Sequence, residues 1–173
     1  MNLSPQIRQQ LAVVMVMLAG CGAGTSQEIL SLRKELLKSS PPAGAVLIAQ
    51  AKRTLPTEPR VVISGWIGGG EISPWREGLA EFVITEALPD EHGHRHKPGE
   101  GDDCPFCRRR FKLQEVLAVV QIVDANGRPL TIDAREILGA KDGALVYVEG
   151  PARVDESGIL TVQAQGIFLP DNQ

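Results

Sequence analysis

VLAVVQIVDANGRPLTIDAREILG, residues 116–139, holds a strand, a turn and a capped helix in one uninterrupted stretch. Val116 to Val123 is rich in β-branched, apolar residues, the composition of a strand. Asn126-Gly127 is a strong signal for a two-residue hairpin, because both central positions of that turn need φ > 0. It turns the strand back into Leu130-Thr131-Ile132. Asp133-x-x-Glu136 then has the spacing of a capping box, and Gly139 is placed to stop a short helix in a left-handed conformation.

Outward from this stretch the pattern stays β. Upstream, Val61, Ile63 and Ile67 share one face of a strand and Val62 and Trp66 the other. Gly65 and the Gly68-Gly69-Gly70 run mark a strand that bends sharply or lets another backbone come close. Ala80, Phe82 and Ile84 form one face of a second strand ending near Pro89. Downstream, Ala144–Val148 and Ile159–Phe168 are two more strands, joined through the turn Asp155-Glu156-Ser157-Gly158.

The order is therefore three strands with a hairpin, a short helix, then two strands. It resembles the five-stranded oligonucleotide/oligosaccharide-binding (OB) barrel, in which a helix sits between the third and fourth strands. The resemblance covers residues 60–169 and implies a mainly β domain with that single helix inside it. Gly65-x-Ile67-Gly68-Gly69, together with Cys104-Pro105-Phe106-Cys107, is also similar to a group of bacterial envelope lipoproteins with no assigned activity.

The N-terminal segment supplies an address. Leu18-Ala19-Gly20-Cys21 closes an apolar run from Leu11 and resembles the lipobox of bacterial lipoproteins. The run has the length of a signal-peptide core and is too short to span a bilayer. On that resemblance residues 1–20 are a signal peptide and Cys21 is the lipidated first residue of the mature chain. Gly22 in place of aspartate implies sorting to the periplasmic face of the outer membrane. The alternative is ordinary cleavage after Ala23. Residues 21–59 then read as a tether with an amphipathic helix over 27–38, its start marked by Thr25-x-x-Glu28. Ile29, Leu32 and Leu36, with Leu30 and Leu37 beside them, form its apolar stripe, and Pro41-Pro42 ends it. The stripe is expected to dock on the barrel; pairing with another copy or lying on a bilayer are the alternatives. Ala43–Leu55 is apolar without a decisive period.

Charge narrows the partners. The chain carries a formal −3, one unit more negative once Arg8 is removed, so no general basic surface faces phosphate backbones. Aromatic residues make up 4% of the chain, with Trp66 and Phe82 in the strands where such barrels stack bases, too few for a stacking platform. Nucleic acid is disfavoured. The expected partners are a membrane, through the lipid, and an envelope protein or glycan.

The chemistry gathers between the second and third strands, in an insertion over residues 90–112. All three histidines of the chain, His92, His94 and His96, precede Cys104 and Cys107 there. A Cys-x-x-Cys turn lets two thiolates meet one ion, and histidines two apart in an extended stretch project to one side. Cys104, Cys107, His94 and His96 make a tetrahedral set suited to zinc, with His92 the alternative to either histidine. Zinc is the cofactor this points to; thiolates also suit copper(I). Histidines that precede the cysteines at a spacing of two match no zinc-finger family.

A thiol–disulfide pair is the second reading of the same residues, since Cys-Pro-Phe-Cys resembles the active-site motif of glutaredoxin-like proteins. A structural disulfide or free thiols beside a solvated loop is the third. Arg108-Arg109-Arg110 with Lys112 reads as a solvated face balanced by nearby acids. No hydrolase, transferase or nucleotide-binding pattern emerges, and no catalytic residue is assigned. The expected function is a lipid-anchored binding or scaffold module with a metal-braced loop, with metal handling or thiol–disulfide exchange as alternatives.

Overall fold

Alternating burial along short strands is the pattern from which the domain is built. In β1 (Arg60–Ile67), Val61, Ile63, Gly65 and Ile67 point inward and their neighbours outward. The computed structural model describes residues 26–55, 59–68, 73–86, 88–89, 95–96 and 113–170. In chain order the remaining elements are α1 (Ser26–Leu36) and α2 (Ile48–Thr54) before β1. After it come β2 (Glu81–Thr85), β3 (Leu88–Pro89), β4 (Arg95–His96), α3 (Leu113–Val116) and β5 (Leu117–Gln121). They are followed by α4 (Ala134–Leu138), β6 (Leu145–Val154), β7 (Leu160–Gln163) and β8 (Gly166–Phe168).

Five of these strands close on themselves in the order β1-β2-β5-β7-β6 and back to β1. Only β5 and β7 pair in parallel; the other barrel pairings are antiparallel. β8 is an additional strand on β6. The result is a mainly β, OB-fold-like mixed barrel with one short helix, α4, between its third and fourth strands. Strand directions place the β1–β2 and β5–β6 connections at one end of the barrel. The β2–β5 and β6–β7 connections lie at the other.

Both ends are plugged by apolar helix faces. Ala134, Ile137 and Leu138 of α4 are fully buried at the first end, and Ile48 and Ala51 of α2 at the second. Between them Phe82, Val120, Val146, Val148 and Val162 fill the interior. Removing one such side chain from water contributes about 1.5–3 kcal/mol. The α4 cap forms as its sequence requires: Asp133 Oδ1 accepts from the backbone N–H of Arg135 at 2.9 Å, and Gly139 takes φ 64°. The Arg135 side chain donates to both carboxylate oxygens and holds the Asp133 carboxyl below its ordinary range.

The N-terminal segment is part of this architecture. The apolar stripe of α1 docks on α4 and β8, with Leu36 buried and Ile29 and Leu32 packed on the core. Leu30 is the exception, 61% exposed. The helix stops at Leu36, ahead of the Pro41-Pro42 stop, because Leu37 forms a parallel bridge to Ile167 and Lys38 N–H donates to its carbonyl at 2.8 Å. The undecided run after it becomes α2, preceded by Val46, which bridges Ile63 of β1. Two open strand edges, on β8 and on β1, are thus covered by residues 37–46, which withholds them from pairing with other chains.

Closure depends on a glycine that the sequence reading passed over. A Cβ on Gly150, in the middle of β6, would meet the carbonyl oxygen of Gln163 at 2.0 Å. There the last strand breaks into β7 and β8 around Ala164-Gln165, whose amides reach Gln121 and Glu149. Gly65 behaves as its position suggests, its absent Cβ lying 2.9 Å from the Thr85 carbonyl.

Two turn expectations need correction. Asn126 keeps negative φ and only Gly127 is left-handed, so the hairpin is the three-residue kind closed by Asp124 and Arg128. The Asp124 carboxylate accepts the amides of Asn126 and Arg128, which favours this geometry over the two-residue turn. The Arg128 amide is the leading cause of the lowered Asp124 pKa. The turn at Asp155–Gly158 repeats the arrangement, with Ser157 and Ile159 as donors. Leu130-Thr131-Ile132 is not a return strand; Leu130 is held by Ile122 and Ala80 as the chain crosses to α4.

Gly150→Ala is expected to cost about 3 kcal/mol through overpacking. Gly78→Ala, with φ 71° and open space around it, should cost only about 1 kcal/mol. Denaturant midpoints in a single series check the order. Ile48→Ala should lose about 2–5 kcal/mol in the same cooperative transition as the barrel, since Ile48 is fully buried in the shared core. A separate, earlier transition for the N-terminal segment would contradict this.

Candidate functional site

The end of β2 is where the histidine- and cysteine-bearing insertion leaves the barrel, and it is built around a buried acid. Glu86 is 7% exposed. Its N–H donates to the Val116 carbonyl at 3.0 Å, so the departing strand is tied to the returning chain at α3. Its carboxylate Oε2 accepts from the N–H of Ala49 at 3.0 Å. That amide lies in the first turn of α2, whose preceding residue, Leu47, offers no capping side chain. Glu86 therefore satisfies from a distance a donor that α2 cannot satisfy locally, at the positive end of its dipole.

Lys52, one turn further along α2, completes the tie. Its Nζ donates to the Gly158 carbonyl at 2.9 Å and to the Gln114 carbonyl. One ammonium thus holds α2, α3 and the β6–β7 turn together. Burial pulls its pKa below 10.5, and the charges of Glu86, Asp155 and Glu115 oppose that shift. The arrangement anchors the insertion at its roots. It offers two charged groups whose hydrogen bonds run to main-chain partners, so its chemistry is that of a brace.

His96 lies in β4, its backbone opposite Leu88 of β3, so the insertion opens with a short antiparallel pair. Cys21, His92, His94, Cys104 and Cys107 lie outside the described residues, as do Arg108-Arg109-Arg110 and Lys112. Among the described residues no group of three His, Cys, Asp or Glu side chains could hold a metal ion.

The outer face of β2 and β5 is a second surface to consider, since barrels of this kind bind ligands there. It carries a polar ladder: Arg76 Nη1 donates to Glu81 at 3.0 Å and Gln121 Nε2 to the same carboxylate at 2.6 Å. Phe82, counted above among residues placed to stack bases, is 1% exposed and faces the core. Trp75, from the connection before β2, packs against it with tilted rings whose centroids lie 5.7 Å apart, and donates its indole N–H to Asp142. The sequence reading missed Glu86, Lys52 and Trp75. The visible signal for the first two was a charged residue placed inside an otherwise apolar run.

Because burial holds the folded pKa of Lys52 below its unfolded value, its ammonium favours the unfolded chain. The resulting contribution to stability rises as pH climbs from the folded value to the ordinary lysine range near 10.4. Glu86→Gln removes the leading charge that supports the ammonium, so Lys52 should lose its proton at lower pH. Faster acylation of Lys52 by an amine-reactive reagent at fixed pH, read by peptide mass, checks the direction; Glu115→Gln should do less. No protein-family model matches the chain, and the search of curated proteins found no match.

Proposed function

We propose that the protein is a lipid-anchored binding or scaffold module of the bacterial envelope. In this reading the barrel is tethered through Cys21 and carries a loop braced by one metal ion, zinc being the best fit. The supporting observation is the mounting of the insertion: Glu86 and Val116 bring its two roots within one hydrogen bond, and Lys52 fixes them to α2 and the β6–β7 turn. The sequence of residues 90–112 brings only two large apolar side chains, Phe106 and Phe111, so its composition offers little core of its own. A metal held by its side chains is a source of order suited to such a composition.

The backbone of His96 is in an extended strand, and residues spaced as His94 and His96 are project to one side wherever such a stretch is extended. With Cys104 and Cys107 these give two imidazoles and two thiolates, the donor set zinc takes in structural sites. His92 is the reserve ligand. No described helix is long and apolar enough to cross a membrane. The proposed attachment is the acylated Cys21 at the periplasmic face of the outer membrane, several acyl chains being what stable anchoring requires. The partner is then a protein or glycan of the envelope.

Elemental analysis of reduced, membrane-extracted protein should find zinc at one equivalent per chain. The double substitution Cys104→Ser with Cys107→Ser should abolish it and expose residues 90–112 to protease while the barrel strands stay protected. Metal affinity should weaken as pH falls through the histidine range, because neutral imidazole and thiolate are the ligating forms. Protein that holds no metal and forms a Cys104–Cys107 disulfide at once in air would instead establish thiol–disulfide chemistry. Metal that exchanges readily would favour metal handling.

A further inference from the structure

α1 is docked on the barrel, which leaves very little chain between the domain and Cys21. Gly22–Thr25 is all that separates the cysteine from Ser26, the first residue of α1. At about 3.5 Å per residue this segment reaches no more than roughly 18 Å even when fully extended. A domain held so closely cannot orient freely. The surface beside the N-terminus of α1 must face whatever holds the anchor.

That surface has a matching character. Helical spacing puts Gln27, Leu30, Ser31 and Lys34 on one flank of α1, all exposed, and this flank carries no carboxylate. Glu28 and Glu35 fall together about a quarter-turn away, and the opposite face is the docked one with Ile29, Leu32 and Leu36. Leu30, at 61% exposure, is one of two large hydrophobic side chains that stand out from the described surface. Lys34 lies one turn along from it. An apolar side chain with a cation beside it suits the boundary between acyl chains and anionic headgroups.

We infer that, with the chain anchored through Cys21, the α1 flank bearing Leu30 and Lys34 rests on the lipid surface, and the α4 end of the barrel faces the bilayer. The inference rests on the lipid-anchor reading given above. Its consequence is polarity. The roots of the insertion, Glu86 and Leu113, belong to the opposite end of the barrel with α2 and the Asp155–Gly158 turn. The insertion is thus mounted, through its roots, on the end away from the membrane, where a soluble or surface partner can reach it.

Hydrogen exchange followed by peptide mass tests the orientation. The membrane-extracted protein is placed in phosphatidylethanolamine vesicles containing a minority of phosphatidylglycerol and compared with the chain from Gly22 onward in solution. Amides of residues 26–37 should exchange about tenfold more slowly on vesicles, the effect of covering one leucine side chain. Residues 155–159 should not change. Leu30→Glu, at an exposed position, should return α1 to its solution rate without moving the denaturant midpoint. Unchanged α1 exchange in protein whose intact mass confirms acylation would overturn the orientation and leave the anchor standing. So would protection at 155–159 in its place, or α1 protection that vanishes when the protein is diluted in excess lipid, since a second copy would then be the cover. An intact mass without acyl groups removes the anchor itself, and this inference with it.

Discussion

Everything in this fold depends on β6 pairing along both of its edges. One edge takes Arg60–Trp66 of β1 in an unbroken antiparallel register. The other takes β8 over Tyr147–Glu149 and β7 over Ala152–Val154. A strand with two such partners is what turns a sheet into a barrel, and it demands that backbones crowd where β7 gives way to β8. Gly150 makes room at that point, because any side chain would occupy the space of the Gln163 carbonyl.

Closure has consequences at the ends and edges. A five-stranded barrel leaves two openings, and the chain fills them with α4 and α2, one from inside the barrel sequence and one from before it. The break after β7 also leaves β8 with an unpaired edge, as does the first half of β1. The segment between α1 and α2 covers both through Leu37 and Val46. What reads as a linker is therefore part of the barrel's closure.

The insertion between β2 and β5 leaves and rejoins the barrel at one place, where Glu86 meets Val116. Its roots are pinned by Glu86 and by a lysine whose charge is only partly solvated, an arrangement that fixes where the loop begins and ends. Such ties limit how far the roots can separate. The same ties connect the insertion to α2 and thus to the core, so a change in the loop has a short mechanical path into the domain.

The sequence by itself determined the elements whose causes are local. Asp133 and Gly139 define α4 because capping and a left-handed stop act within one helical turn. Alternation at Val61 and Ile63, and at Phe82 and Ile84, shows which faces turn inward, since period-two burial is a property of each strand alone. The grouping of three histidines with Cys104 and Cys107 is likewise a matter of residue type and spacing, and apart from the His96 backbone it lies outside the described residues. Tertiary structure decided what depends on residues far apart in the chain. Gly150 looks like any glycine until Gln163 arrives beside it, and the capping of α2 by Glu86 joins positions 37 apart. The run after Ala43 became helix because the end of the barrel needed Ile48 and Ala51 as its plug, a requirement no local period expresses. Leu37 left the helix for the same kind of reason, drawn into an open strand edge that exists only once β8 has formed.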